Sequence, residues 1–176
     1  PKMTISTVMI TVAATAPIFY GPNLRKMIVV GCGDLTLGGS NSGAPNYLDE
    51  LYDDIDLLKG AGITPIAVGA GDKWPAAHYW YNFALKSCSP EVLQEAQSTY
   101  DFSDDCFVKA GELLQDFIDS EPFNEGYLAT SAQQGAGSSA GLLATGKVAM
   151  ELMGHWDPGV MGGILAEENG GDAVAP

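Results

Sequence analysis

The chain has 176 residues, 46% of them apolar, and 22 acidic against 8 basic side chains, for a formal net charge of -14. That length builds one hydrophobic core rather than two complete domains, and that apolar content excludes a disordered chain. So acidic a surface repels phosphate backbones and anionic lipid, and its aromatics come without a basic groove, which argues against nucleic acid as a partner.

Short strands are expected over residues 3–13 and 27–30, with turns at Pro17 and Gly21–Pro22. The run containing Ile5, Val8, Met9, Ile10, Val12 and Ala13 follows Lys2 in the manner of a secretory signal, but threonines interrupt it. A signal or lipid anchor is therefore not evident, and a buried strand fits the same residues. No segment reaches the apolar length of a membrane span. Met27–Gly39, MIVVGCGDLTLGG, imitates the start of a dinucleotide fold. The glycine due three places after Gly33 is Thr36, and a loop follows where a helix would have to receive the pyrophosphate.

Asn46 is placed to cap a helix over Tyr47–Lys59, with Leu48, Leu51, Ile55 and Leu58 on its buried face and Asp49, Glu50, Asp53, Asp54 and Asp56 mostly solvated. A strand over Ile63–Val68 follows. Asp72 is expected to cap the next helix, which starts near Trp74 and Pro75 and runs to about Lys86. Helices are then expected over Pro90–Gln97 and from Asp104 or Asp105 to Ile118. The second buries Phe107, Ala110, Leu114, Phe117 and Ile118. Gly126–Gly137 reads as an exposed loop. Ser138 or Ser139 caps a short helix through Ala144, Lys147–Met153 is a strand, and a last helix covers Trp156–Leu165. Strands alternating with helices make the fold class α/β. The expected divisions are a strand and turn region over 1–45, the α/β unit over 46–165, and a flexible, acidic, glycine-rich tail over 166–176.

Two aromatic segments carry the functional question. DKWPAAHYWYNF (Asp72–Phe83) holds Trp74, His78 and Trp80, and GHWDPG (Gly154–Gly159) holds Trp156 and Asp157. Trp74, His78 and Tyr81 share a helix face, whereas Trp80 is turned away from it, so the tryptophans divide between core and pocket. Rings at glycine-flanked helix starts suit stacking on a flat ligand such as a sugar, and they suit a core equally well. The amides of Gln133 and Gln134 are able to bond sugar hydroxyls, or to sit in a solvated loop. GAGSSAG (Gly135–Gly141) lacks the lysine of a phosphate loop. Asp72, Asp104, Asp105 and Asp157 all lie near helix starts, where a capping role competes with catalysis. No nucleophile signature is present.

Cys88 and Cys106 allow either a local disulfide, implying an oxidising compartment, or two buried thiols, and Cys32 is left over. Together with His78 and His155 they supply zinc-ligand types, but at a spacing that matches no compact site, so no metal is expected.

Three stretches carry a resemblance: LLKGAGITPIAVGAGDKWPAAHYWYNFAL (Leu57–Leu85), DFSDDCFVKAGELLQDFID (Asp101–Asp119) and EPFNEGYLATSAQQGAGSSAGLLATGKVAMELMGHWDPGV (Glu121–Val160). In this order they resemble the extracellular solute-binding proteins of ABC importers, in the large sugar-binding family. The resemblance covers Tyr47–Val160. It implies one lobe of a periplasmic-binding-protein-like (type II) α/β fold with a three-layer tendency and short strands. It also implies an extracytoplasmic location, a sugar or oligosaccharide ligand, a membrane permease as partner, and neither catalytic residues nor cofactor. In the family the stretches matching Gly146–Trp156 and Lys73–Trp80 approach the ligand cleft. This makes Trp156 and Trp74 the expected stacking residues, with Trp80 nearby and polar help from Asp157, His78, Gln133 or Gln134. A Cys88–Cys106 disulfide fits such an exported protein. Family members are commonly more than twice this length, so a truncated chain, or self-association covering exposed apolar surface, is expected. The alternatives are a structural domain that has lost transport and a carbohydrate-active enzyme using two acids.

Overall fold

The computed structural model describes residues 48–154 and 156–170, and before them the backbone of β1 (Ile10–Thr11), β2 (Ile28–Val29) and β3 (Leu35–Thr36). β1 and β2 fall inside the two strands expected at the start of the chain. The remainder of those strands, the Asn46 cap, Cys32, His155 and the end of the tail lie outside the described residues. β3 was not expected. It pairs antiparallel with β2, Val29 opposite Leu35, so Gly31 and Gly33 stand between two paired strands.

Helix α1 (Leu48–Gly60) buries Leu51, Ile55 and Leu58, three residues that recur on one face at the helical period. Asp54, expected among the solvated acids, lies buried on that face as well. Burial, with Asp53 and Glu50 beside it, pushes its carboxyl up to about 6. Strand β4 (Thr64–Ala67) follows, then a 3-10 turn over Ala70–Asp72 that leads into helix α2 (Trp74–Ser87). Asp72 does not cap α2. Lys73 occupies the cap position with φ 72°, and that left-handed step swings Asp72 away from the helix. Its Oδ2 instead accepts the backbone N–H of Ala132 at 2.7 Å.

Helix α3 (Pro90–Thr99) starts after Ser89, and α4 (Asp105–Asp119) is capped by Asp104, whose Oδ1 accepts the Cys106 N–H at 2.8 Å. A disulfide joins Cys88, at the end of α2, to Cys106 in the first turn of α4. Phe107, Ala110 and Phe117 of α4 are buried, while Leu114 and Ile118 are half-buried at the edge of that face. Phe117 collects the rings of Tyr52, Tyr79, Phe83 and Phe123.

The segment expected as an exposed loop, Gly126–Gly137, is tied down along part of its length. Asn124 seals the free edge of β4: its Oδ1 accepts the Val68 N–H at 2.9 Å, and its backbone N–H donates to Ile66 at 3.0 Å. Ala132 is buried against Gly69, where an added Cβ would stand 2.5 Å from the Ala132 Cα. Only a glycine permits that approach. Helix α5 (Ser139–Ala144) is capped by Ser138, whose Oγ accepts the Gly141 N–H at 3.0 Å. Strand β5 (Val148–Leu152) and helix α6 (Asp157–Glu168) complete the described fold, and α6 runs past Leu165 into the stretch expected as tail.

β5 is the central strand. It pairs parallel with β4, Ile66 opposite Met150, and antiparallel with β1, Ile10 opposite Leu152. Ile66 and Val68 point into a core shared with α1, α2 and α4, whereas Ala67 and Val148 point into a second core under α5 and α6. The sheet therefore lies between two helical layers, the three-layer α/β arrangement that alternating strands and helices imply.

Candidate functional site

Parallel pairing places the C-terminal ends of β4 and β5 at the same edge of the sheet, the edge where open α/β sheets receive ligands. The connection after β4 delivers Trp74 to the start of α2, and the connection after β5 delivers Trp156 to the start of α6. Their ring centroids are 6.3 Å apart with the planes tilted 50°. Trp74 is 38% exposed and Trp156 48%, so each presents ring surface to solvent. His78, one turn along α2, meets the Trp74 ring edge-on at 5.5 Å and the Tyr81 ring at 6.3 Å. Four aromatic side chains thus line one outer face.

Gly154 sets the position of the Trp156 ring. A Cβ there would run into Cε3, Cζ3 and Cη2 of that indole, which rests on the bare glycine backbone. Asp72 ties the other side together. Its bond to Ala132 joins the turn before Trp74 to the loop bearing Gln133 and Gln134. Gln134 is exposed. Gln133 is half-buried, and its Nε2 lacks an acceptor among the described residues.

Trp80 faces elsewhere. It stacks on Phe107 of α4, centroids 6.0 Å apart and planes 21° from parallel, and it lies against the larger core. Asp157 is 0% exposed, so its carboxylate lies inside the protein rather than on the solvent face. Beside it is Glu151 of β5, 1% exposed, a residue that sequence reasoning passed over. An acid in the middle of the apolar strand VAMEL was the available signal. Burial, and then the charge of Asp157, pushes Glu151 up to about 8, while burial pushes Asp157 up to about 6. The buried hydroxyl of Tyr79, from α2, is close enough to feel the Glu151 charge, and burial and then that charge raise it too.

The sulfurs of Cys88 and Cys106 are bonded to each other, which removes the thiolates from the zinc-ligand alternative. Among the described residues no three His, Cys, Asp or Glu side chains gather as a metal site, and no helix is long and apolar enough to cross a membrane.

Residues 12–176 match the family model of the bacterial extracellular solute-binding proteins. A protein of Caldanaerobius polysaccharolyticus, solved in a study of xylan utilization by that thermophilic bacterium, is 26% identical with a TM-score of 0.58 over 66% of this chain and 29% of its own. A sugar transporter of Bacillus licheniformis, solved with stachyose, is 17% identical with a TM-score of 0.49 over 70% of this chain and 32% of its own. The chain thus spans less than a third of either protein. No curated protein matches it. With the match extending over nearly the whole sequence, the chain belongs to the bacterial extracellular solute-binding protein family.

Proposed function

We propose that the chain binds a sugar or oligosaccharide without covalent chemistry, as part of an extracytoplasmic receptor that delivers it to an ABC-type permease. The observation that carries this reading is the pair of solvent-facing indoles, Trp74 and Trp156, set side by side at the C-terminal ends of two parallel strands. The faces of a pyranose carry C–H groups that stack on such rings, and the surrounding hydroxyls need polar partners. His78, Gln133 and Gln134 supply the nearby donors and acceptors. Trp80 supports α2 from the core side, and Asp157 acts from beneath the surface.

Membership in a family of binding proteins favours this reading over a carbohydrate-active enzyme. The Cys88–Cys106 disulfide suits an oxidising, extracytoplasmic compartment. The Caldanaerobius relative comes from work on xylan utilization, which makes xylo-oligosaccharides the first ligands to try. The test is titration calorimetry of mono- and oligosaccharides against the chain and against Trp156→Ala. Saturable heat that the substitution removes supports the proposal. Absence of heat with every sugar, from a sample that melts cooperatively, overturns it for this chain and favours a structural role.

A further inference from the structure

Glu151 and Asp157 bracket the turn that carries Trp156, one on the last strand and one in the first turn of α6. Both side chains are shut away from solvent. None of their four carboxyl oxygens meets a hydrogen-bond donor among the described residues. The two carboxyls lie within reach of one another. Two adjacent buried carboxylates, both charged, are among the most costly arrangements in a protein interior. One retained proton converts their repulsion into an O–H···O⁻ bond of the short, strong kind.

The surroundings decide where that proton sits. Ser139 lies beside Glu151 and works against the effect of burial by lowering its carboxyl, while its hydroxyl also meets the Ala132 carbonyl at 3.1 Å. Asp157 stands at the N-terminal end of α6, where the helix dipole favours an anion. Glu151 has no such compensation. Among the described residues the further ionisable neighbour is the Tyr79 hydroxyl of α2. β4 (TPIA), α5 (SAGLLA) and β1 (IT) carry no ionisable side chain.

We infer that Glu151 is a positioning residue: as a neutral acid it donates a hydrogen bond to the Asp157 carboxylate, and this bond holds the start of α6 and the Trp156 indole in place. Its effect on affinity rests on the sugar-stacking reading of Trp156, whereas its effect on the fold does not. Glu151 ionises near 4.5 when unfolded and keeps its proton to about 8 when folded. The folded chain therefore binds more protons across that window, and stability falls as pH rises through it. Loss of the proton sets two anions against each other and frees the turn beneath Trp156.

The test uses thermal melts and intrinsic fluorescence of the ligand-free chain from about pH 4.5 to about 8, beside E151Q, D157N and Trp156→Phe. E151Q reproduces the shape of the neutral acid and offers a donor at every pH, and D157N offers a donor from the other side. Above about pH 6 the titrations of Asp54 and of Asp157 itself are complete, so the upper half of the window, where Asp157 is a carboxylate, is decisive. There the wild-type melting temperature should fall and its emission should shift. E151Q and D157N should be flatter in both, and Trp156→Phe should lose the emission shift. A fall in E151Q as steep as in wild type overturns the inference. So does an emission shift that survives Trp156→Phe, or an E151Q chain that does not fold in acid where wild type does. Where a sugar binds, its affinity should weaken by up to about tenfold through the window in wild type and stay level in E151Q. If no sugar binds to any variant, the sugar reading fails alone, and the ligand-free melts still decide the role of Glu151.

Discussion

Trp74 and Trp156 lie far apart in sequence, yet their ring centroids stand 6.3 Å apart, because each closes the connection that leaves one of two neighbouring parallel strands. Neither indole belongs to the buried core, and each presents ring surface to solvent while a neighbour braces it. A glycine lies under Trp156, and His78 meets the edge of Trp74. That division between support and exposed ring yields the first prediction.

Trp74→Ala and Trp156→Ala should each cost about 1 kcal/mol or less in stability, because both side chains are already substantially exposed. Each should weaken ligand binding by up to about tenfold, the loss of one ring stack. Parallel melts and calorimetry read both effects. A severe loss of stability in either variant would instead mark that ring as a packing residue.

Gly154→Ala should act as a displaced Trp156. The new methyl meets the far end of the indole, which swings aside, so binding should weaken while the melt moves little. A shift in tryptophan emission that is absent from a Trp156→Phe background checks the assignment.

Reducing the Cys88–Cys106 bond, or replacing both cysteines by serine, should lower stability by about 3 kcal/mol, the loop-closure entropy expected for a link of this span. The comparison is a melt with and without reductant.

Asp54→Asn should raise the melting temperature at neutral pH and leave it nearly unchanged in strong acid. The folded carboxyl is raised from 3.8 to about 6, so the unfolded chain ionises first and stability is lost as pH rises between those values. Melts at matched ionic strength across that range give the sign directly.

Asp72→Ala should cost about 1–3 kcal/mol, because the Ala132 N–H loses a charged acceptor at a part-buried position. It should also loosen the loop bearing Gln133 and Gln134, seen as faster amide exchange at Ala132 and its neighbours than in wild type.

Local pattern was enough for most elements. Leu51, Ile55 and Leu58 recur at the helical period, Asp104 and Ser138 cap their helices, and strands alternate with helices, so α1, α4, α5 and the α/β class were legible. The quoted stretches also carried the family, and the helical spacing of Trp74, His78 and Tyr81 anticipated their shared face. Other features depended on partners distant in sequence, to which local spacing is blind. Asp72 reads as a helix cap until the left-handed step at Lys73 turns it to Ala132, 60 residues away. Asp54 reads as solvated until the fold covers its side of α1, and Gly126–Gly137 reads as free until Gly69 packs on Ala132 and Asn124 donates to the Thr130 hydroxyl. The sequence by itself determined which residues are aromatic, periodic or capping, because those are properties of residue type and near neighbours. Only the tertiary structure decided that Trp74 meets Trp156 and that Glu151 is buried with Asp157, because parallel strand pairing and the layers that close over it are non-local.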